Sequence, residues 1–232
     1  MMASIYTIPG WFFGYDIALE LLFAVITLFV AFYAWRIYKI SSAREFGLMS
    51  VAFTFISLSF FAWSIINMSL VEELNETTRI LVLNNITILS VIGVYSHILL
   101  FMCGLITLFY MTTRGANDKM YALTIILSVL GILFALNKTV AVYTFSSVIL
   151  AFISFYYAKN YIENRNYATF AIMFSFGLLF LASLLMLFSS FPYSVYVIAH
   201  MCELVAFGTI LFTLISILKN GGQKKKSPRN YP

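Results

Sequence analysis

Apolar stretches long enough to cross a hydrocarbon core of about 30 Å recur along this sequence until nearly the whole chain is used, with only short polar links between them. With 62% hydrophobic residues, 10% charged ones and 24 phenylalanines among 232 residues, no water-soluble fold of this size could hide its apolar surface, so lipid must be the solvent. The expected fold is all-α: a polytopic membrane protein, a bundle of seven transmembrane helices. The spans read as 17–35, 46–69, 82–112, 120–136, 139–158, 167–188 and 193–218, so that 1–218 is the membrane domain and 219–232 a basic tail. The polar run from Thr112 to Lys119 separates the third and fourth spans, whereas Asn137 and Lys138 alone divide the fourth from the fifth. One helix over both would be too long for a single crossing. Seven is therefore the expected count and six the alternative.

Charge sets the expected orientation. Arg36, Lys39, Arg44, Arg114, Lys119, Lys159, Arg165 and the tail residues Lys219, Lys224, Lys225, Lys226 and Arg229 fall on one side, against only Arg79 and Lys138 on the other. By the positive-inside rule the rich side is cytoplasmic, which puts the N-terminus outside and the tail inside, with the plasma membrane as the expected location. The outer side carries the acidic residues Glu72, Glu73 and Glu76 and one plausible glycan acceptor, Asn75. The tail reads as a topology anchor on anionic lipid or a docking site for a cytoplasmic partner, not as a nucleic-acid surface. Cys103 and Cys202 lie within spans as packing residues rather than a disulfide.

An internal duplication is also legible. Shifting the sequence by 123 places Val25-Ile26, Phe29, Phe32-Tyr33, Arg36 and Tyr38 over Val148-Ile149, Phe152, Phe155-Tyr156, Lys159 and Tyr161, and a shift of 103 places His97 over His200. Spans one to three would then repeat as five to seven in parallel, and the odd fourth span restores the orientation.

Ionisable groups inside a membrane cost at least about 2.5 to 3.5 kcal/mol at a helix centre, so the few present are candidate site residues. Counted from the basic ends of their spans, Glu20, His97, His200 and Glu203 share a layer roughly 24 to 29 Å deep at about 1.5 Å per residue, in the outer leaflet. Asp16 stands one turn beyond Glu20, and Tyr143 occupies the position aligned with Glu20 in the second repeat. Gly93 and Gly104 beside His97, and Gly208 beyond His200, offer close helix packing or room for a flat cofactor. Asp16 and Asn67, taken alone, are expected to be solvated among headgroups.

Several functions would use such a layer. Two histidines on aligned helices could be axial ligands of haem b for electron transfer, or could join Glu20 and Glu203 around a divalent metal. The layer could instead be the gated site of a small-solute or proton transporter, a plan that resembles the SWEET and PQ-loop proteins but lacks their Pro-Gln pair. A seven-helix ligand sensor or accessory subunit is the third reading. It resembles receptor and rhodopsin topologies, without a span-seven lysine for a Schiff base. A zinc hydrolase similar to alkaline ceramidases is weaker still, because no His-x-x-x-His pair is present. Alternatively His200 with Glu203, or His97 with Glu20, simply holds the helices in register. Signatures of soluble enzymes are absent, and an enzymatic role is the less favoured one.

Overall fold

The computed structural model describes residues 13–75, 81–113, 118–188 and 193–224. Residues 1–12, the acidic stretch around Glu76, Arg79 and Arg114, and the tail beyond Lys224 lie outside the described residues, as do the side chains of Asn75 and Asn85. Among the described residues there are seven helices and no strand: α1 (Phe13–Ser41), α2 (Arg44–Asn75), α3 (Leu81–Thr112), α4 (Asp118–Phe134), α5 (Lys138–Asn164), α6 (Tyr167–Phe188) and α7 (Tyr193–Lys224). Six of them are long and apolar enough to cross a membrane, against the seven spans expected, which supports an integral membrane bundle. The exception is α4, whose 17 residues span only about 25 Å.

Short-range chemistry sets the helix ends. The side chain of Asn137 accepts from the Val140 N–H at 3.2 Å and caps α5, which separates it from α4. Within the helices, hydroxyls return to carbonyls one turn back, as from Thr27 to Phe23 at 2.6 Å and from Thr107 to Cys103 at 2.6 Å, so they need no water. Other hydroxyls cross between helices. Ser57 donates to the Ala24 carbonyl at 2.8 Å and Ser50 to that of Ala31 at 2.9 Å, joining α2 to α1. Ser183 donates to the Tyr143 carbonyl at 3.1 Å, joining α6 to α5.

The helices pack in a closed order. α1, α2 and α3 are successive neighbours, as are α5, α6 and α7, and the two sets meet where α1 touches α7 and α3 touches α5. The short α4 lies against α3 and α5, outside this ring of six. At the centre, Phe23 of α1, Phe53 and Phe60 of α2 and Phe207 of α7 form one aromatic cluster, with centroids 5.5 Å apart for Phe23–Phe60, 5.8 Å for Phe23–Phe207 and 6.1 Å for Phe60–Phe207. Outward faces carry Leu28, Phe29, Phe32, Phe152 and Phe155, all exposed as lipid-facing side chains should be.

The hairpins α1–α2 and α5–α6 share detail at a constant offset of 123 residues. Their link residues Ser42 and Arg165 are the only non-glycine positions with positive φ among the described residues, at 55° and 48°. Each closes its helix with the same bond, from the Ser42 N–H to the Tyr38 carbonyl and from the Arg165 N–H to the Tyr161 carbonyl, both at 2.8 Å. The Tyr38 ring lies over Gly47, and the Tyr161 ring packs on Phe170 at 5.2 Å. Buried positions follow the same offset: Phe23, Ala24, Thr27 and Val30 correspond to Ser146, Ser147, Leu150 and Ile153, and Phe53, Ile56 and Trp63 to Phe176, Leu179 and Met186.

Candidate functional site

Near the end of the bundle that holds the start of α1, three helices bring their polar side chains together. Asp16 and Glu20 stand one turn apart on α1, so they share a face, and both are buried, 1% and 4% exposed. Tyr196, His200 and Glu203 line one face of α7 for the same reason. The Tyr196 hydroxyl donates to Asp16 Oδ1 at 2.7 Å, and His200 Nε2 lies 3.2 Å from the same oxygen. On the other side of the imidazole, His200 Nδ1 is 2.9 Å from Glu203 Oε2. A continuous chain therefore runs from Tyr196 and Asp16 through His200 to Glu203.

Glu20 has its own partners on α2. Asn67 Nδ2 donates to Glu20 Oε2 at 3.0 Å, and the Trp63 indole also hydrogen-bonds this carboxylate. The expectation that Asp16 and Asn67 would be solvated is thus corrected: Asn67 is 6% exposed, and both face protein because α2 and α7 close over α1. Burying an amide and two carboxylates without donors would cost several kcal/mol, on the order of 1–3 for each unmet group, and the observed bonds remove that cost.

His97 stands apart. Its Nδ1 lies 2.8 Å from Ser59 Oγ and 3.2 Å from the Ser59 carbonyl, so its partner is on α2 and is not Glu20. The ring sits among Phe60, Trp63 and Phe101, stacked on the last at 5.8 Å and 15°. Between the two imidazoles lie two phenyl rings: Phe23 is 5.8 Å from His200, Phe60 is 5.8 Å from His97, and the two rings touch each other. The space a porphyrin would need between a pair of axial histidines is occupied by these buried side chains, so the residues do not fit that group in this arrangement. Among the described residues no three His, Cys, Asp or Glu side chains meet as a metal-holding group. Cys103 and Cys202 are free thiols.

The glycines divide in the same way. A Cβ on Gly93 would lie 2.8 Å from Ile66, and one on Gly104 only 2.5 Å from Ile56 and 2.8 Å from the Ala52 carbonyl, so both let α3 close on α2. At Gly208 a Cβ would meet nothing within 4 Å, so this glycine is not a packing contact.

A cavity lies where the two three-helix sets face each other. It is lined by Phe53 and Ile56 of α2, Phe101 and Leu105 of α3, Tyr143, Ser146 and Leu150 of α5, Leu179 and Ser183 of α6, and Glu203 and Phe207 of α7. Its volume is about 20 Å³, room for one water-sized group. Glu203 is the one carboxylate in the wall, and through His200 it is the inner end of the chain that begins at Asp16. Of the sequence-derived candidates, Glu20, Asp16, His200 and Glu203 come together and Tyr143 lines the cavity, whereas His97 does not join them. Sequence reasoning missed Tyr196, Trp63, Ser59 and Ser146 as partners. Only Tyr196 carried a signal, standing four residues before His200 on the same helix face. Comparison of the chain with protein-family profiles, with curated proteins and with solved structures finds no match, so the reading rests on geometry.

Proposed function

We propose that the protein moves a small solute across the membrane, through a site where two repeated three-helix units face each other. The observation that carries this reading is the cavity between the two sets of helices with the Glu203 carboxylate in its wall. A charged group in an apolar interior costs enough to be a mark of solute handling, and sites in repeat-built transporters form where the repeats meet. The paired features of the α1–α2 and α5–α6 hairpins support a duplication, because random similarity of aromatic helices would not reproduce a left-handed link residue at one offset. In this reading the Asp16–His200–Glu203 chain connects the outer end of the bundle to the cavity.

The orientation proposed is N-terminus outside and tail in the cytoplasm, which requires the short, apolar α4 to cross as a seventh span. Among the described residues Arg36, Lys39, Arg44, Lys119, Lys159, Arg165 and Lys219 belong to helix ends on the tail side, with only Lys138 opposite, in the sense of the positive-inside rule. In a cysteine-free background, a membrane-impermeant maleimide applied to intact cells should label Leu136→Cys and spare Asn164→Cys. The reverse pattern would invert the topology.

One observation favours a second reading. Each carboxylate of the layer already has a donor from another residue, as a purely helix-joining cluster requires. Reconstitution into proteoliposomes separates the two. For transport, His200→Ala should abolish flux of small solutes or protons seen with the parent, while His97→Ala should lower thermal stability and keep flux. No flux in the parent, with loss of stability in His200→Ala, would leave the cluster a joining device. A Soret band or stoichiometric metal in the purified protein would bring back an electron-transfer role, and would require Phe23 and Phe60 to leave the space between the histidines.

A further inference from the structure

The cavity wall has a particular chemistry. Glu203 supplies one carboxylate, and the rings of Phe53, Phe101 and Phe207 supply aromatic surface. Ser146 is 1% exposed, and its hydroxyl finds only the weak acceptor Met102 Sδ, at 3.8 Å, although it borders the cavity. A carboxylate, an underused hydroxyl and aromatic rings around a space of about 20 Å³ are complementary to a small cation that donates N–H bonds and tolerates π faces.

Charge balance points the same way. Asp16 and Glu203 flank a single imidazole, that of His200, and Glu20 stands one turn from Asp16 on α1, so three carboxyl groups share one basic side chain. A proton or a bound cation would balance any carboxylate that His200 does not pair. A hard metal ion would seek six or more oxygens. Here the hydroxyl of Ser183 is already committed to the Tyr143 carbonyl, and no metal-holding group exists among the described residues.

We propose that the cavity takes ammonium, a monovalent cation about the size of a water molecule, held by the Glu203 carboxylate and the Ser146 hydroxyl between the phenylalanine rings. This rests on the cavity being the solute site and names its substrate class. His200 keeps Glu203 oriented from the opposite side, so the carboxylate presents its free oxygen to the cation.

The test uses the 232-residue chain in lipid nanodiscs, titrated calorimetrically and in thermal melts with ammonium, sodium and choline chlorides at equal ionic strength. Saturable binding and stabilisation by ammonium, and not by sodium or by the larger choline, is the expected result. Glu203→Gln keeps a side chain for His200 to bond and should weaken binding by about tenfold or more, the usual loss for a charge-assisted hydrogen bond. Ser146→Val fills the space, leaves the His200–Glu203 pair intact and should abolish binding, so the idea stays testable if the glutamine variant does not fold. An equal response to the three salts, or ammonium binding unchanged in Ser146→Val, would overturn the proposal. In liposomes the two levels separate. Binding of ammonium without uptake removes transport and keeps the cation site, whereas flux of another solute that ammonium does not compete with keeps transport and removes the cation site.

Discussion

Asn67 illustrates how a single side chain controls the polar layer. Its amide donates to Glu20, so Asn67→Ala leaves a buried carboxylate short of a donor and should cost about 1–3 kcal/mol, read as a lower melting temperature in detergent. Tyr196→Phe removes a donor from Asp16, which keeps His200 nearby, and should cost less, about 1 kcal/mol. A smaller effect for Asn67→Ala than for Tyr196→Phe would mean that Glu20 is served by Trp63 alone. Depth counting placed Glu20, His200 and Glu203 correctly in one layer, since residue number fixes height along a helix. It could not place His97, because height says nothing about rotation: the same layer contains a histidine that faces Ser59 on α2 and one that faces Asp16 on α1. Asn67 was misjudged for a related reason, since nearness to a helix end suggests solvent unless the neighbouring helices are known to close over it.

Among the helices, α2 and α3 approach closely at Gly104, which permits the contact. Gly104→Val would drive branched methyls into Ile56 and the Ala52 carbonyl, with an expected loss of about 1–3 kcal/mol of stability, whereas Gly208→Ala should be nearly neutral. Equal effects at the two sites would contradict this packing. The links between helices make a second prediction. Ser42 and Arg165 both sit in left-handed backbone, which costs a residue with a Cβ roughly 1 kcal/mol, so glycine at either position should raise the melting temperature by a similar small amount. Unequal responses would speak against equivalent links. Helix number and the α4–α5 break were readable from hydropathy and from Asn137-Lys138, because apolar length and a capping side chain are local properties. The left-handed links were not, since neither serine nor arginine announces that conformation.

The whole bundle closes its ring through two seams, α1 with α7 and α3 with α5, and α4 lies outside the ring, against both helices of the second seam. The Phe23, Phe60 and Phe207 rings cross the first seam, and the cavity lies between the halves. The order of packing was only partly legible. A repeat implies which helices correspond, but membrane helices show no strong apolar stripe to say which faces meet, because lipid and protein interiors are equally apolar. One consequence of the peripheral α4 concerns the covalent chain itself. Since the neighbours across both seams are held by packing and not by the connecting segment, continuity of the polypeptide through α4 should be dispensable once the halves have met. Two polypeptides, ending and beginning between Ala135 and Leu136 and made in the same cell, should therefore co-purify as a stoichiometric pair. Recovery of either half alone, free of the other, would show that α4 works as a brace and that the two trios are not self-sufficient partners.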